Sequence, residues 1–215
     1  LIPFVREAQA RGARLVVIDP RSTQLARAAD VHLAVQPGTD LPVALALHRY
    51  LFTTGRADQA FLAAHAHNVD ALRDRADAWT IARAAATAGI DAAALERVAS
   101  FYAESSPALI RCGWGLERNR NGGSAAAAIL ALPAVGGKFG VRGGGYSASN
   151  SASWGIERTW VGAAEPDTRV VNMNQLGRAL LEYSDPPVQT LFVYNCNPAA
   201  TAPDQHRIIK GLQRE

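Results

Sequence analysis

Asp19, Arg21, Ser22 and Thr23 stand directly behind the apolar run Leu15 to Ile18, and Gly38, Thr39 and Asp40 stand behind Val31 to Val35. Their chemistry is that of holding a nucleotide. A carboxylate accepts from ribose or base donors, while a guanidinium and hydroxyls reach phosphate or base edges. Pro20 fixes the turn, and a glycine lets backbone approach a ligand closely. Such groups work at the carboxyl ends of strands in α/β sheets. Each cluster alone reads equally well as a turn with a helix cap, Asp40 standing where an N-cap for Leu41 to Leu51 belongs. Two clusters at successive strand ends point to a large nucleotide-bearing ligand.

A second set follows in the other half of the chain. The run Ala108 to Cys112 reads as a strand and opens into Gly113-Trp114-Gly115, with Glu117 and Arg118 close behind. The glycines admit close backbone approach, the indole packs at a ligand's edge, and the charged pair supplies polar contacts. The competing reading is a buried tryptophan beside a structural Glu–Arg pair. Further on, Asn195 and Asn197 offer amides that can hydrogen-bond a ligand's edge, or else form an Asx turn ahead of Pro198.

The elements that must carry these groups follow from the apolar pattern. Leu1 to Arg11 is helical and amphipathic, and Leu15 to Ile18 is β-branched and uninterrupted, as a parallel strand buried on both faces would be. Helices are expected over Leu41 to Thr53, Ala57 to Ala66, Thr80 to Ala88 and Ala92 to Ala103, the last capped by Asp91. Gly143 to Gly155, rich in Gly, Ser and Asn, reads as a long loop. The pattern of strand, glycine turn and helix restarts after Ser105-Ser106-Pro107, which divides the chain into 1–105 and 106–215. The fold class is therefore α/β: two Rossmann-like three-layer α/β/α lobes with mostly parallel sheets, each giving one nucleotide-binding edge.

In their order, these motifs resemble the molybdopterin oxidoreductases of the dimethyl sulfoxide reductase type. The resemblance rests on Asp19-Pro20-Arg21-Ser22-Thr23, Ala29-Asp30, Pro37-Gly38-Thr39-Asp40, Arg111 to Arg118, Asn121-Gly122-Gly123, Gly136 to Gly145 and Phe192 to Pro198. It implies a bis-molybdopterin guanine dinucleotide with molybdenum or tungsten, held by Asp19, Pro20, Arg21, Ser22, Thr23, Gly38, Thr39, Asp40, Gly113, Trp114, Gly115, Glu117, Arg118, Asn195 and Asn197. It implies a two-electron oxygen-atom or hydride transfer on a small-molecule substrate, with electrons exchanged through a 4Fe–4S cluster and an iron–sulfur or other electron-transfer subunit. Enzymes of this family are much longer. The metal ligand and the cluster motif are expected upstream of the Asp19 strand, and the chain reads as an internal piece of a longer protein. The resemblance assigns no catalytic residue and no metal ligand to this stretch.

In formate dehydrogenases of that family the loop corresponding to Gly143–Gly155 bears an arginine. Here the position falls on Ser149, Asn150 or Ser151, which argues against formate as substrate. Two alternatives compete. The first is a metal-free scaffold domain such as that of the large iron–sulfur subunit of respiratory complex I, against which the retained polar turns weigh. The second is a thiamine-type or other nucleotide-binding α/β domain, which leaves the triple glycine and Asn195 to Pro198 without a role.

Composition removes other classes. A net charge of +3, with arginines interspersed among acids, gives no nucleic-acid surface. No apolar run is long enough to span a bilayer. Two cysteines, Cys112 and Cys196, cannot assemble a four-cysteine cluster, and both read as small free-thiol core residues at strand ends. The five histidines are scattered and read as surface residues, and Asp70, Asp74 and Asp77 interleave with Arg73 and Arg75 as a solvated helix face. Localisation stays open between cytoplasm, which is favoured, and periplasm, which follows if an export signal precedes this stretch.

Overall fold

The computed structural model describes residues 2–148 and 168–214. The chain falls into two compact units, Leu1–Asn150 and Ser151–Glu215.

In the first unit, α1 (Ile2–Ala10) leads into β1 (Val16–Ile18), α2 (Gln24–Arg27) and β2 (Val31–Leu33). β1 and β2 are parallel, with Val16 opposite Val31 and Ile18 opposite Leu33. Five helices follow: α3 (Asp40–Thr53), α4 (Gln59–His65), α5 (Val69–Asp77), α6 (Ile81–Ala88) and α7 (Ala92–Glu104). Then come β3 (Leu109–Cys112), a 3-10 turn over Leu116–Arg118, α8 (Gly122–Val135) and β4 (Gly145–Ala148). β3 and β4 are also parallel, with Leu109 opposite Gly145 and Cys112 opposite Ala148. Parallel pairs joined through helices make the fold α/β, as the sequence pattern requires.

The core is built around α3, buried from Pro42 through His48 and again at Leu51. A helix that is apolar on every side belongs in the middle of other helices. Val43, Ala46, Leu47 and Leu51 pack with Ala84, Ala85 and Ala88 of α6, Leu95, Val98 and Ala99 of α7, Leu132 and Val135 of α8, and Val31 and Leu33 of β2. The alanines let these helices approach closely. Capping sets their starts: Asp91 accepts from the amides of Ala93 and Ala94, Thr80 from that of Arg83, and Asp58 from that of Phe61.

Several expectations are corrected. β1 is not buried on both faces: Val16 and Val17 are half-buried and Ile18 is exposed, because among the described residues this sheet has only two strands. Asp40 is the first residue of α3 and not its cap; Thr39 holds the cap position, and its hydroxyl donates instead to the Gln36 carbonyl at 2.6 Å. Part of the expected Gly143–Gly155 loop is β4, since Gly145 to Ala148 find a ladder on β3 that needs no particular side chain. Residues 149–155 of that loop, with Ser149, Asn150 and Ser151, lie outside the described residues. His48 is fully buried rather than at the surface, its Nε2 lying 2.8 Å from the Ala128 carbonyl of α8.

The second unit contains a 3-10 turn (Met173–Gln175), α9 (Leu176–Glu182), α10 (Pro198–Thr201) and α11 (Gln205–Leu212). α9 and α11 meet where glycine allows it: a Cβ on Gly211 would stand 2.6 Å from that of Leu180, and one on Gly177 would stand 2.7 Å from that of Arg207. The stretch Phe192 to Pro198, where the family resemblance implies a strand followed by an Asn–Pro turn, forms no strand. Among the described residues the segment has no partner strand, and Phe192 and Tyr194 are exposed. Cys196 is exposed too, so only Cys112 is the buried thiol expected of both.

Candidate functional site

The turn after β1 is organised by its own side chains. The Asp19 amide donates to the Leu33 carbonyl at 3.2 Å, carrying the sheet one residue further, and the Asp19 carbonyl lies 2.8 Å from His32 Nε2. Asp19 Oδ1 accepts from the Arg21 amide at 2.7 Å, an Asx turn. Thr23 Oγ1 caps α2 by accepting from the Ala26 amide at 3.1 Å, and Arg27 Nη1 donates to the Ser22 carbonyl at 2.7 Å. Pro20, Arg21 and Ser22 are left exposed at the carboxyl end of the strand. Cap and turn roles are therefore real for Asp19 and Thr23, and the guanidinium of Arg21 faces solvent.

The turn after β2 is tied to the helical core by the Gln36 amide, which donates to the Ala88 carbonyl at the end of α6, 2.9 Å away. Gly38 is left-handed, with φ +86°. Asp40 then enters α3 half-buried, and that burial raises its carboxyl above the usual range, against the lowering effect of its own backbone amide.

Beyond β3 the chain runs through Gly113, Trp114 and Gly115 into the 3-10 turn. Trp114 is 54% exposed, so the buried-indole reading fails, and Glu117 and Arg118 are exposed as well. The turn is pinned from behind, with Asn119 Nδ2 donating to the Gly115 carbonyl at 3.2 Å and Asn121 Nδ2 donating to the Gly38 carbonyl at 2.9 Å. The structure thus brings Gly38, Thr39 and Asp40 together with the Gly113–Arg118 turn at one mouth, and β1–β2 pairing sets the Asp19–Thr23 turn at the carboxyl end of the neighbouring strand. Asn195 and Asn197 belong to the second unit. Asn195 is left-handed (φ 51°), and Asn197 starts α10 ahead of Pro198 without capping it through its side chain.

At the root of the mouth Cys112 and Tyr146 share a side-chain hydrogen bond between β3 and β4. Burial pushes the Cys112 thiol up; the Tyr146 bond opposes this, while the Asp40 carboxylate adds to it. Burial, with the Cys112 contact, pushes Tyr146 up to about 12. Arg111 Nη1 donates to Ser147 Oγ at 3.0 Å on the same pair of strands. Sequence reasoning missed Asn119, Asn121, Tyr146 and Ser147 as members of this site. The one signal available was Asn121-Gly122 at the head of an alanine-rich helix.

Gly113 and Gly115 test whether a large ligand fits. Gly115 has φ −61° and ψ −34°, a conformation any residue adopts, and Gly113 is not left-handed either. A Cβ added to either one meets no atom within 4 Å. Neither the backbone nor the protein around it calls for glycine at these positions, and the open space in front of them is what a closely approaching ligand needs. By contrast, a Cβ on Gly122 would collide with the Leu116 carbonyl oxygen, so that glycine serves the fold.

Two other features are set apart. A groove of about 360 Å³ between α3 and α5, lined by Arg49, Phe52, Thr53, Arg73, Asp74 and Asp77, lies at the far end of α3 from Asp40 and is occupied by ion pairs. No group of three or more potential metal ligands converges among the described residues, and no described helix is long and apolar enough to cross a membrane.

The chain is 36% identical, over its whole length, to a probable oxidoreductase, YoaE, of Bacillus subtilis, of which it covers 32%. It is 32% identical over 87% of its length to the assimilatory nitrate reductase of Haloferax mediterranei, covering 26% of that protein. Among solved structures, acetylene hydratase from Pelobacter acetylenicus matches with a TM-score of 0.63 and 28% identity, over 65% of this chain and 19% of that one. The chain spans about a third of the length of the curated relatives first matched. The molybdopterin oxidoreductase family model matches residues 2–215, and the chain belongs to that family.

Proposed function

We propose that this chain is the cofactor-holding central part of a molybdenum or tungsten oxidoreductase that carries a bis-molybdopterin guanine dinucleotide. The observation that carries the reading is the pair Gly113 and Gly115, glycines that neither conformation nor packing requires, at a mouth shared with Gly38, Thr39 and Asp40. When bound, the cofactor supplies a metal centre for oxygen-atom or hydride transfer to or from a small molecule.

The residues of this chain hold it. Arg21 and Arg118 offer charge-assisted hydrogen bonds to phosphate, Ser22, Thr39 and Glu117 offer polar contacts, and Trp114 offers an apolar face. Asp40, at the half-buried start of α3, presents a carboxyl to base or ribose donors. Gly113 and Gly115 bring backbone amides within reach. In this reading one turn set lies on each side of Ser105–Pro107, each serving one nucleotide half, and the amides of Asn195 and Asn197 are further candidates for contact with the cofactor. The 4Fe–4S cluster, the metal ligand and the electron-transfer partner belong to the rest of the parent protein.

Metal analysis of the natively purified full-length protein, with nucleotide release by acid hydrolysis, tests this. Molybdenum or tungsten with about two GMP per metal supports it. A folded protein free of metal and guanine refutes it.

A further inference from the structure

Asn121 stands at the cap position of α8, yet its side chain caps nothing. An asparagine there ordinarily accepts from amides of the first helical turn. Instead its Nδ2 donates to the Gly38 carbonyl, 2.9 Å away and 83 residues earlier in the chain, in a half-buried setting. The two turns lie against each other: a Cβ on Gly38 would stand in ordinary van der Waals contact with Asn119 Oδ1 at 3.5 Å and Asn121 Oδ1 at 3.9 Å.

On its other side Asn121 is fixed by its neighbours. Gly122 has no room for a side chain against the Leu116 carbonyl, and its amide donates to the Asn119 carbonyl at 3.0 Å. The Asn119 amide donates in turn to the Leu116 carbonyl at 3.3 Å. The amide of Asn121 thereby joins the turn after β2 to the 3-10 turn after β3 and to the start of α8.

We infer that Asn121 is a positioning residue that holds the Gly38–Asp40 turn in register with the Gly113–Arg118 turn, so that both engage one cofactor at once. The inference rests on the proposed function. It goes further by placing retention of the cofactor under the control of a residue that need not touch it. Two turns held together act on a ligand as one pre-ordered surface, and releasing them makes the ligand order them at its own expense.

The test uses the full-length protein as wild type, Asn121→Ala, Asn121→Asp and Asp91→Ala. Asn121→Asp keeps the shape and loses the donor; Asp91→Ala removes a cap on α7 of comparable worth to stability, away from the mouth. Molybdenum and released GMP per protein are followed through repeated gel filtration, and thermal midpoints are measured on cofactor-free protein. Loss of one such hydrogen bond is expected to speed cofactor loss about fivefold in Asn121→Ala, and more in Asn121→Asp, where a carboxylate faces the Gly38 carbonyl. Asp91→Ala is expected to retain cofactor as wild type does, with a thermal midpoint lowered as much as that of Asn121→Ala. Wild-type retention in both Asn121 variants, or equal loss in Asp91→Ala, overturns the inference. Wild-type protein that carries neither metal nor guanine overturns the proposed function itself.

Discussion

Replacing Gly115 with alanine separates a glycine kept for the fold from one kept for a ligand. Its backbone lies in the right-handed helical region at the head of the 3-10 turn, and a methyl there meets nothing within 4 Å. Removing glycine's excess freedom in the unfolded chain at such a position stabilises a protein by about 0.5–1 kcal/mol. In a domain of this size that raises the thermal midpoint by about 2 °C. The same methyl, pressed against a ligand seated on the turn, costs about 2 kcal/mol, or about thirtyfold in affinity. Cofactor-free protein, prepared from a host unable to make the pterin, should therefore melt slightly higher as Gly115→Ala than as wild type. Holo preparations of the variant should carry much less metal after gel filtration. A variant that melts several degrees lower without cofactor, or retains metal at the wild-type level, refutes the reasoning.

His48 makes stability depend on pH. Its Nε2–H is directed to the Ala128 carbonyl, Nδ1 is buried with no partner among the described residues, and burial lowers its pKa from the ordinary 6.5. Below 6.5 the unfolded chain binds a proton that the folded one refuses. Stability is thus full above 6.5 and declines as pH falls beneath it, by at most about 1.4 kcal/mol per pH unit. Urea midpoints at pH 7.5 and 5.5 should show this decline, and His48→Gln should flatten it. Leu51→Ala, at the centre of the core and 1% exposed, should cost about 3 kcal/mol in the same assay, with an unchanged slope. Peptide mapping after brief alkylation should find Cys196 modified and Cys112 protected, since the latter is buried and its thiolate disfavoured. Equal modification of both would show that β3 opens readily.

Legibility in the sequence followed the range of the interaction concerned. Asp91 was readable as a cap because its partners, the amides of Ala93 and Ala94, lie two and three residues away. The first three strands were readable from short apolar runs, β-branched at β1, although Ile18 proved exposed where burial on both faces was expected. β4 was missed because Gly145-Tyr146-Ser147-Ala148 has no strand pattern of its own and is made a strand by backbone pairing with β3. The burial of His48 was missed for a similar reason, since its partner carbonyl lies 80 residues away on α8. At the mouth, residue types exposed the three turns, but the hydrogen bond from Asn121 to Gly38 depends on how two distant loops meet. Thr39 and Asp40 exchanged roles because a one-residue shift in a helix start leaves the sequence pattern unchanged.

The parallel pairing of β1 with β2 and of β3 with β4 has a kinetic consequence. Neither ladder can nucleate as a hairpin, because each must wait for an intervening helix to form and cross over. The run from α3 through α7, by contrast, packs neighbours that are close in sequence and can collapse early. Refolding should therefore build the helical body first and close the strand ends afterwards. The loops that meet at those strand ends are then the last part of the first unit to take shape, and a cofactor arriving during synthesis meets a chain whose body is made and whose mouth is still open.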